Sequence, residues 1–60
     1  MFYVVGEDFD GNVYEFESGC EILGEVRAQC QELLETLDGG HFDIFEINDE
    51  DENYVDCVEW

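Results

Sequence analysis

Eighteen Asp and Glu residues face a single Arg and no Lys in a chain of 60 residues, a formal net charge of -17. Hydrophobic residues still make up 45% and aromatic residues 15%, too apolar for a disordered acidic tail and enough for one small folded domain over residues 1–60. So short a chain leaves little room for a deep catalytic pocket, and its charge disfavours direct binding to DNA, RNA or an anionic membrane.

Phe2 to Phe9 is rich in aromatic and β-branched residues and reads as a strand. Asp10-Gly11 marks a hairpin turn. Val13 to Glu17 is the return strand, with Tyr14 and Phe16 alternating inward against Val13, Glu15 and Glu17.

The stretch from Ser18 to Gly40 reads as one amphipathic helix. At about 100° per residue, Ile22, Leu23, Val26, Cys30, Leu33, Leu34 and Leu37 share an arc of about 120°, a core face. Glu21, Glu25, Glu32 and Glu35, with Ala28 between them, lie opposite. Ser18 and Glu21 have capping-box spacing, and Asp38-Gly39-Gly40 supplies the stop. Gly24 inside this pattern costs about 1 kcal/mol relative to alanine, which close packing or a partner's approach would explain. Arg27, the lone cation, borders the core face and is expected to pair with a neighbouring acid.

Phe42 to Ile47 reads as a third strand, Asn48 to Asn53 as an acidic loop, and Tyr54 to Trp60 as a fourth strand. The layout is ββαββ, an α+β fold with one amphipathic helix packed on a four-stranded, mostly antiparallel sheet. Strand order is not legible at this level. Strands 1, 3 and 4 carry apolar residues on both faces: Tyr3 and Val5 oppose Phe2 and Val4, Phe45 and Ile47 oppose Phe42 and Ile44, and Tyr54, Val58 and Trp60 oppose Val55 and Cys57. One helix covers one sheet face. The other keeps apolar and aromatic groups that are either covered by long side chains and loops or left for a homodimer or a docked partner.

Three cysteines, Cys20, Cys30 and Cys57, imply no disulfide framework and suit a reducing cytoplasm, with Cys30 a small buried hydrophobe. The apolar run Met1 to Val5 is too short for a signal or membrane-spanning segment. His41 is alone, so no zinc set and no nucleophile–base pair can be assembled, and no pair of carboxylates stands out for acid–base work. The chain is read as a non-enzyme without cofactor or metal.

Two acidic clusters carry the functional reading. The helix row Glu21, Glu25, Glu32 and Glu35, with carboxylates about 6 Å apart at i, i+4, imitates the phosphates of one nucleic acid strand. The loop residues Asp49, Glu50, Asp51 and Glu52 form a second patch. Neither that loop nor Asp8, Asp10 and Asn12 has the glycine and closing glutamate of an EF-hand. Two carboxylates about 6 Å apart in water repel by about 0.7 kcal/mol. A small domain that tolerates such repulsion so many times over has a use for its charge, and the expected partner is basic.

In size, charge, absence of lysine and compact layout, the whole chain resembles the small acidic DNA-mimic proteins of phages and mobile elements. These include anti-CRISPR proteins, anti-restriction proteins and uracil-DNA glycosylase inhibitors. The resemblance, strongest to the anti-CRISPR proteins, implies a stoichiometric inhibitor in the host bacterial cytoplasm. Its helix-row and loop carboxylates would stand in for phosphates on the DNA-binding surface of a CRISPR effector or another defence protein. Two alternatives fit the same composition: a small domain of a halophile, where acidity serves solvation in salt, and an acidic or cation-binding adaptor.

Overall fold

A computed structural model describes residues 1–60. Strand β1 spans Phe2–Asp8, β2 Val13–Glu17, helix α1 Leu23–Leu37, β3 Gly40–Asn48 and β4 Asp51–Glu59. The expected α+β layout, one helix on a four-stranded sheet, is the one observed. The strand order is β2-β1-β3-β4, and every neighbouring pair is antiparallel. Helix α1 carries the chain from the β2 edge across β1 to β3 and rests on β1, β3 and β4.

The core lies between α1 and one sheet face. Phe2 and Val4 of β1, Phe42 and Ile44 of β3, and Val58 of β4 meet Val26, Cys30 and Leu34 of the helix. Tyr14 and Phe16 pack beside Phe42, with ring centroids 6.4 and 6.2 Å away. Gly6 makes this possible: in the register it stands between Tyr14 and Phe42, where a Cβ would run into the His41 carbonyl and the Phe42 ring.

The helix is shorter at its start than its periodicity predicts. Ser18 and Glu21 form no capping box. Gly19 takes a φ of 79°, turning the chain out of helical conformation just where the box needs it. The Ser18 hydroxyl instead donates to Gln29 Oε1 at 2.6 Å and accepts the Cys20 N–H at 3.4 Å. Ile22 is the N-cap, extended and without a side-chain cap, and is 62% exposed rather than in the core. Leu23, Leu33 and Leu37 are half-buried at the core margin. Gly24 is exposed with no atom near where its Cβ would lie, so close packing does not explain it. At the other end Asp38, not a glycine, takes the left-handed cap conformation, and the Gly39 N–H donates to the Leu34 carbonyl at 2.9 Å.

The β1–β2 connection is organised by Asp8, which is 8% exposed. Its carboxylate accepts the N–H groups of Asp10 and Asn12, the Asn12 amide and the Tyr14 hydroxyl, at 2.9 to 3.0 Å. A buried carboxylate with four donors is satisfied as an anion.

Candidate protein-binding surface

The acidic residues singled out in the sequence are placed in four different settings. Glu25, Glu32 and Glu35 lie exposed on the solvent side of α1. Glu21 precedes the helix, and the steps from Glu25 to Glu32 and from Glu32 to Glu35 are seven and three residues, so an evenly stepped row of four does not exist. Along the axis about 10 Å separate Glu25 from Glu32, and about 4.5 Å separate Glu32 from Glu35. Glu25 falls in the first turn, where the helix dipole favours it.

The loop read over Asn48 to Asn53 contracts to a tight turn at Asp49-Glu50, with Asp49 at a φ of 51°. Asp51 and Glu52 already belong to β4, opposite Asn48 and Ile47. Successive strand residues point to opposite faces, so Asp51 and Glu52 diverge. No three His, Cys, Asp or Glu side chains converge as a metal set.

The sheet face away from α1 gathers a more coherent surface. Its rows follow from the register. Glu17, Tyr3, Phe45 and Tyr54 stand side by side across β2, β1, β3 and β4; Glu15, Val5, Asp43 and Cys57 form the next row; Val13, Glu7, His41 and Glu59 the third. Ile47 and Glu52 pair beyond the aromatic row. The face therefore has an aromatic and apolar centre, with Glu7, Glu15, Glu17, Asp43, Glu52 and Glu59 among and around it. Cross-strand neighbours have Cβ atoms about 5 Å apart, so each ring has a carboxylate within reach.

A β-bulge completes this face. The register passes from Ile44–Asp56 to Phe45–Tyr54, leaving Val55 without a partner. Strict alternation would put Tyr54 on the side of Val58, as the sequence reading had it. The bulge turns it over to Phe45 instead, where the two rings meet edge to face at 5.7 Å and 76°. Tyr54 is 59% exposed and Val13 69%.

Burial pushes the Tyr3 hydroxyl above its ordinary value, helped by the nearby negative charges of Glu15, Glu17 and Glu52. Burial also raises Tyr54, followed by the effects of Cys57, Asp43 and Asp56. Both phenols keep their protons at neutral pH.

On the helix side, Arg27 pairs with Asp56, as expected of the lone cation. The Arg27 guanidinium, with the Cys57 N–H, holds the Asp56 carboxyl below the usual range. Cys20, Cys30 and Cys57 are all free thiols. Burial raises Cys30 to about 11, against the pull of Arg27, which makes it an inert core residue.

Sequence reasoning missed Glu7, Glu15, Glu17, Asp43 and Glu59 as members of one surface. The outward alternation of Glu15 and Glu17 in β2 was the available signal. The rest needed strand order. Of the acidic residues it singled out, only Glu52 lies on this face, together with the apolar Tyr3, Val5, Phe45 and Ile47 that alternation had already put on the uncovered side. No helix is long and apolar enough to cross a membrane. No protein-family model, curated protein or solved structure matches this chain.

Proposed function

We propose that this chain is an acidic DNA mimic, a stoichiometric inhibitor that occupies the DNA-binding surface of a CRISPR effector or another defence protein in a bacterial cytoplasm. The observation that carries the reading is charge density. A net charge of -17 lies along a longest dimension of 33 Å. That is one charge per about 2 Å of length, against one per about 1.7 Å for duplex DNA. The length itself is close to one turn of B-DNA, about 34 Å. Acidic groups occur on the solvent side of the helix, on the open sheet face and at the β3–β4 turn, while the one arginine is engaged by Asp56. A groove built to hold a polyanion meets in this domain the field it is built for, and association is steered and fast. Inhibition then needs no chemistry and no cofactor; it needs only that the target's lysines and arginines be occupied.

The test is displacement. Guide-loaded CRISPR effectors are purified and bound to a fluorescent duplex carrying their recognition motif, and the acidic protein is titrated in. Release of duplex near one equivalent from at least one effector, with no binding to the duplex alone, is the expected result. The reading fails if nothing is released from any effector and excess duplex DNA frees no captured protein from a bacterial lysate.

A further inference from the structure

The open sheet face has apolar content that charge mimicry alone does not require. Tyr3, Phe45 and Tyr54 form a row three rings wide across β1, β3 and β4, extended by Val5, Val13 and Ile47. No second layer covers it: α1 rests on the opposite face. Solvent-facing aromatic rows cost solubility, and surfaces of this kind mark interfaces.

The charges on this face say what covers it. Six carboxylates stand there, Glu7, Glu15, Glu17, Asp43, Glu52 and Glu59, and no Lys or Arg. A second copy of the chain would bring six more acids against these six and no counter-charge. A basic protein surface would bring the complement. Among basic groups, guanidinium fits best. It is planar, it stacks on aromatic faces, and its fork of N–H donors matches a carboxylate edge on. Each part has its counterpart here: rings in a row, with Glu17 at the β2 end and Glu15, Asp43 and Glu52 in the flanking positions. An ammonium, compact and strongly hydrated, gains less from the rings.

We infer that the open sheet face, centred on Tyr3, Phe45 and Tyr54, is the contact surface for the partner and that it takes an arginine-bearing protein surface, with guanidinium groups stacked on the aromatic row and bridged to its carboxylates. This rests on the DNA-mimic reading and assigns it a face: the solvent side of α1 supplies field, and the sheet supplies grip. Stacking and apolar burial are not screened by salt as exposed charge pairs are, so binding through this face outlasts ionic strength that weakens purely electrostatic contact.

Two peptides of equal length and charge, one with arginine and one with lysine as its basic residue, are titrated into the isotopically labelled protein and followed by amide NMR shifts. The expected result is at least tenfold tighter binding of the arginine peptide. Its shifts should concentrate on β1, β3 and β4 around Tyr3, Phe45 and Tyr54, with a preference that persists at 0.3 M salt. Tyr54→Ala, at an exposed position outside the core, should remove most of the preference while the remaining spectrum stays folded. Tyr54→Phe should retain it. Equal affinity for the two peptides, or shifts centred on Glu25, Glu32 and Glu35, would overturn the inference, as would self-association through the same face in sedimentation at neutral pH. The two proposals fail separately. If duplex DNA competes for the target but only charge reversal on α1 weakens binding, mimicry stands and the face assignment falls. If the arginine preference is found but duplex DNA never competes, the face stands and mimicry falls.

Discussion

Arg27 of α1 and Asp56 of β4 pair across the only helix–sheet junction that contains a cation. The chain's single positive side chain thus helps to hold the fold and is not free on the surface. Arg27→Gln should lower the thermal midpoint, and Arg27→Glu should lower it further. The second change sets a like charge against Asp56 and adds to a large existing repulsion. Circular dichroism melts at fixed ionic strength check the order; an Arg27→Gln midpoint equal to that of the unsubstituted chain would show that the pair contributes nothing.

The core is thin, with 13 of 60 residues buried. Stability for a domain of this length is about 3 to 9 kcal/mol. Leu34→Ala removes a side chain that is 1% exposed and should cost about 2 to 5 kcal/mol, enough to unfold much of the population. Ile22→Ala, at the 62% exposed N-cap, should change stability by less than about 0.5 kcal/mol, although the helical wheel places both in one stripe. Urea denaturation distinguishes them.

Gly24 occupies the first turn of α1 with open space where a Cβ would be. Gly24→Ala should therefore stabilise the protein by about 0.5 to 1 kcal/mol, through helix propensity and a less disordered unfolded chain. The same urea titration reads the gain. A loss would mean that the helix start needs glycine for a reason other than space.

Stability should have a maximum on the acid side of neutrality. Asp8 is held low mainly by the Asn12 amide, with the Asn12 N–H, the Tyr14 hydroxyl and the Asp10 N–H adding to it; Asp56 is held low mainly by Arg27. A depressed carboxyl stabilises the fold above its unfolded value of 3.8, and that stabilisation is lost as pH falls through the lower folded value. Over the same descent from neutral pH the net charge shrinks toward zero near the isoelectric point of 4.1, which relieves repulsion. The thermal midpoint should rise from pH 7 to about pH 5 and drop below about pH 3.5. Added salt at pH 7 should also raise it by screening. Asp8→Asn should flatten the acid limb more than Asp10→Asn, because Asp8 alone gathers four donors.

Reversing two helix charges, Glu25→Lys with Glu32→Lys, should weaken target binding about tenfold at low salt and much less at high salt, where long-range attraction is screened. Tyr54→Ala should show the opposite salt pattern. Affinities of both variants for one target at two salt concentrations check this contrast.

Element types were legible in the sequence because they rest on local periodicity. Alternation placed Tyr14 and Phe16 inward, and the stripe through Val26, Cys30 and Leu34 identified the buried side of α1. Boundaries failed where one residue's backbone overrode the pattern. A positive φ at Gly19 moved the helix start to Leu23 and dissolved the Ser18–Glu21 cap, and the tight turn at Asp49-Glu50 drew Asp51 and Glu52 into β4.

Charge and its excess over any counter-charge depend only on composition, and the sequence by itself determined them. The surface that presents this charge did not follow. Strand order decides which residues become neighbours, and it is set by how α1 bridges β2 to β3 over β1, a non-local packing choice. The bulge at Val55 depends on how β4 docks against β3, and it alone puts Tyr54 beside Phe45. A one-residue shift in register exchanges the faces of a strand, so the sheet's aromatic row and its frame of carboxylates exist only in the tertiary structure.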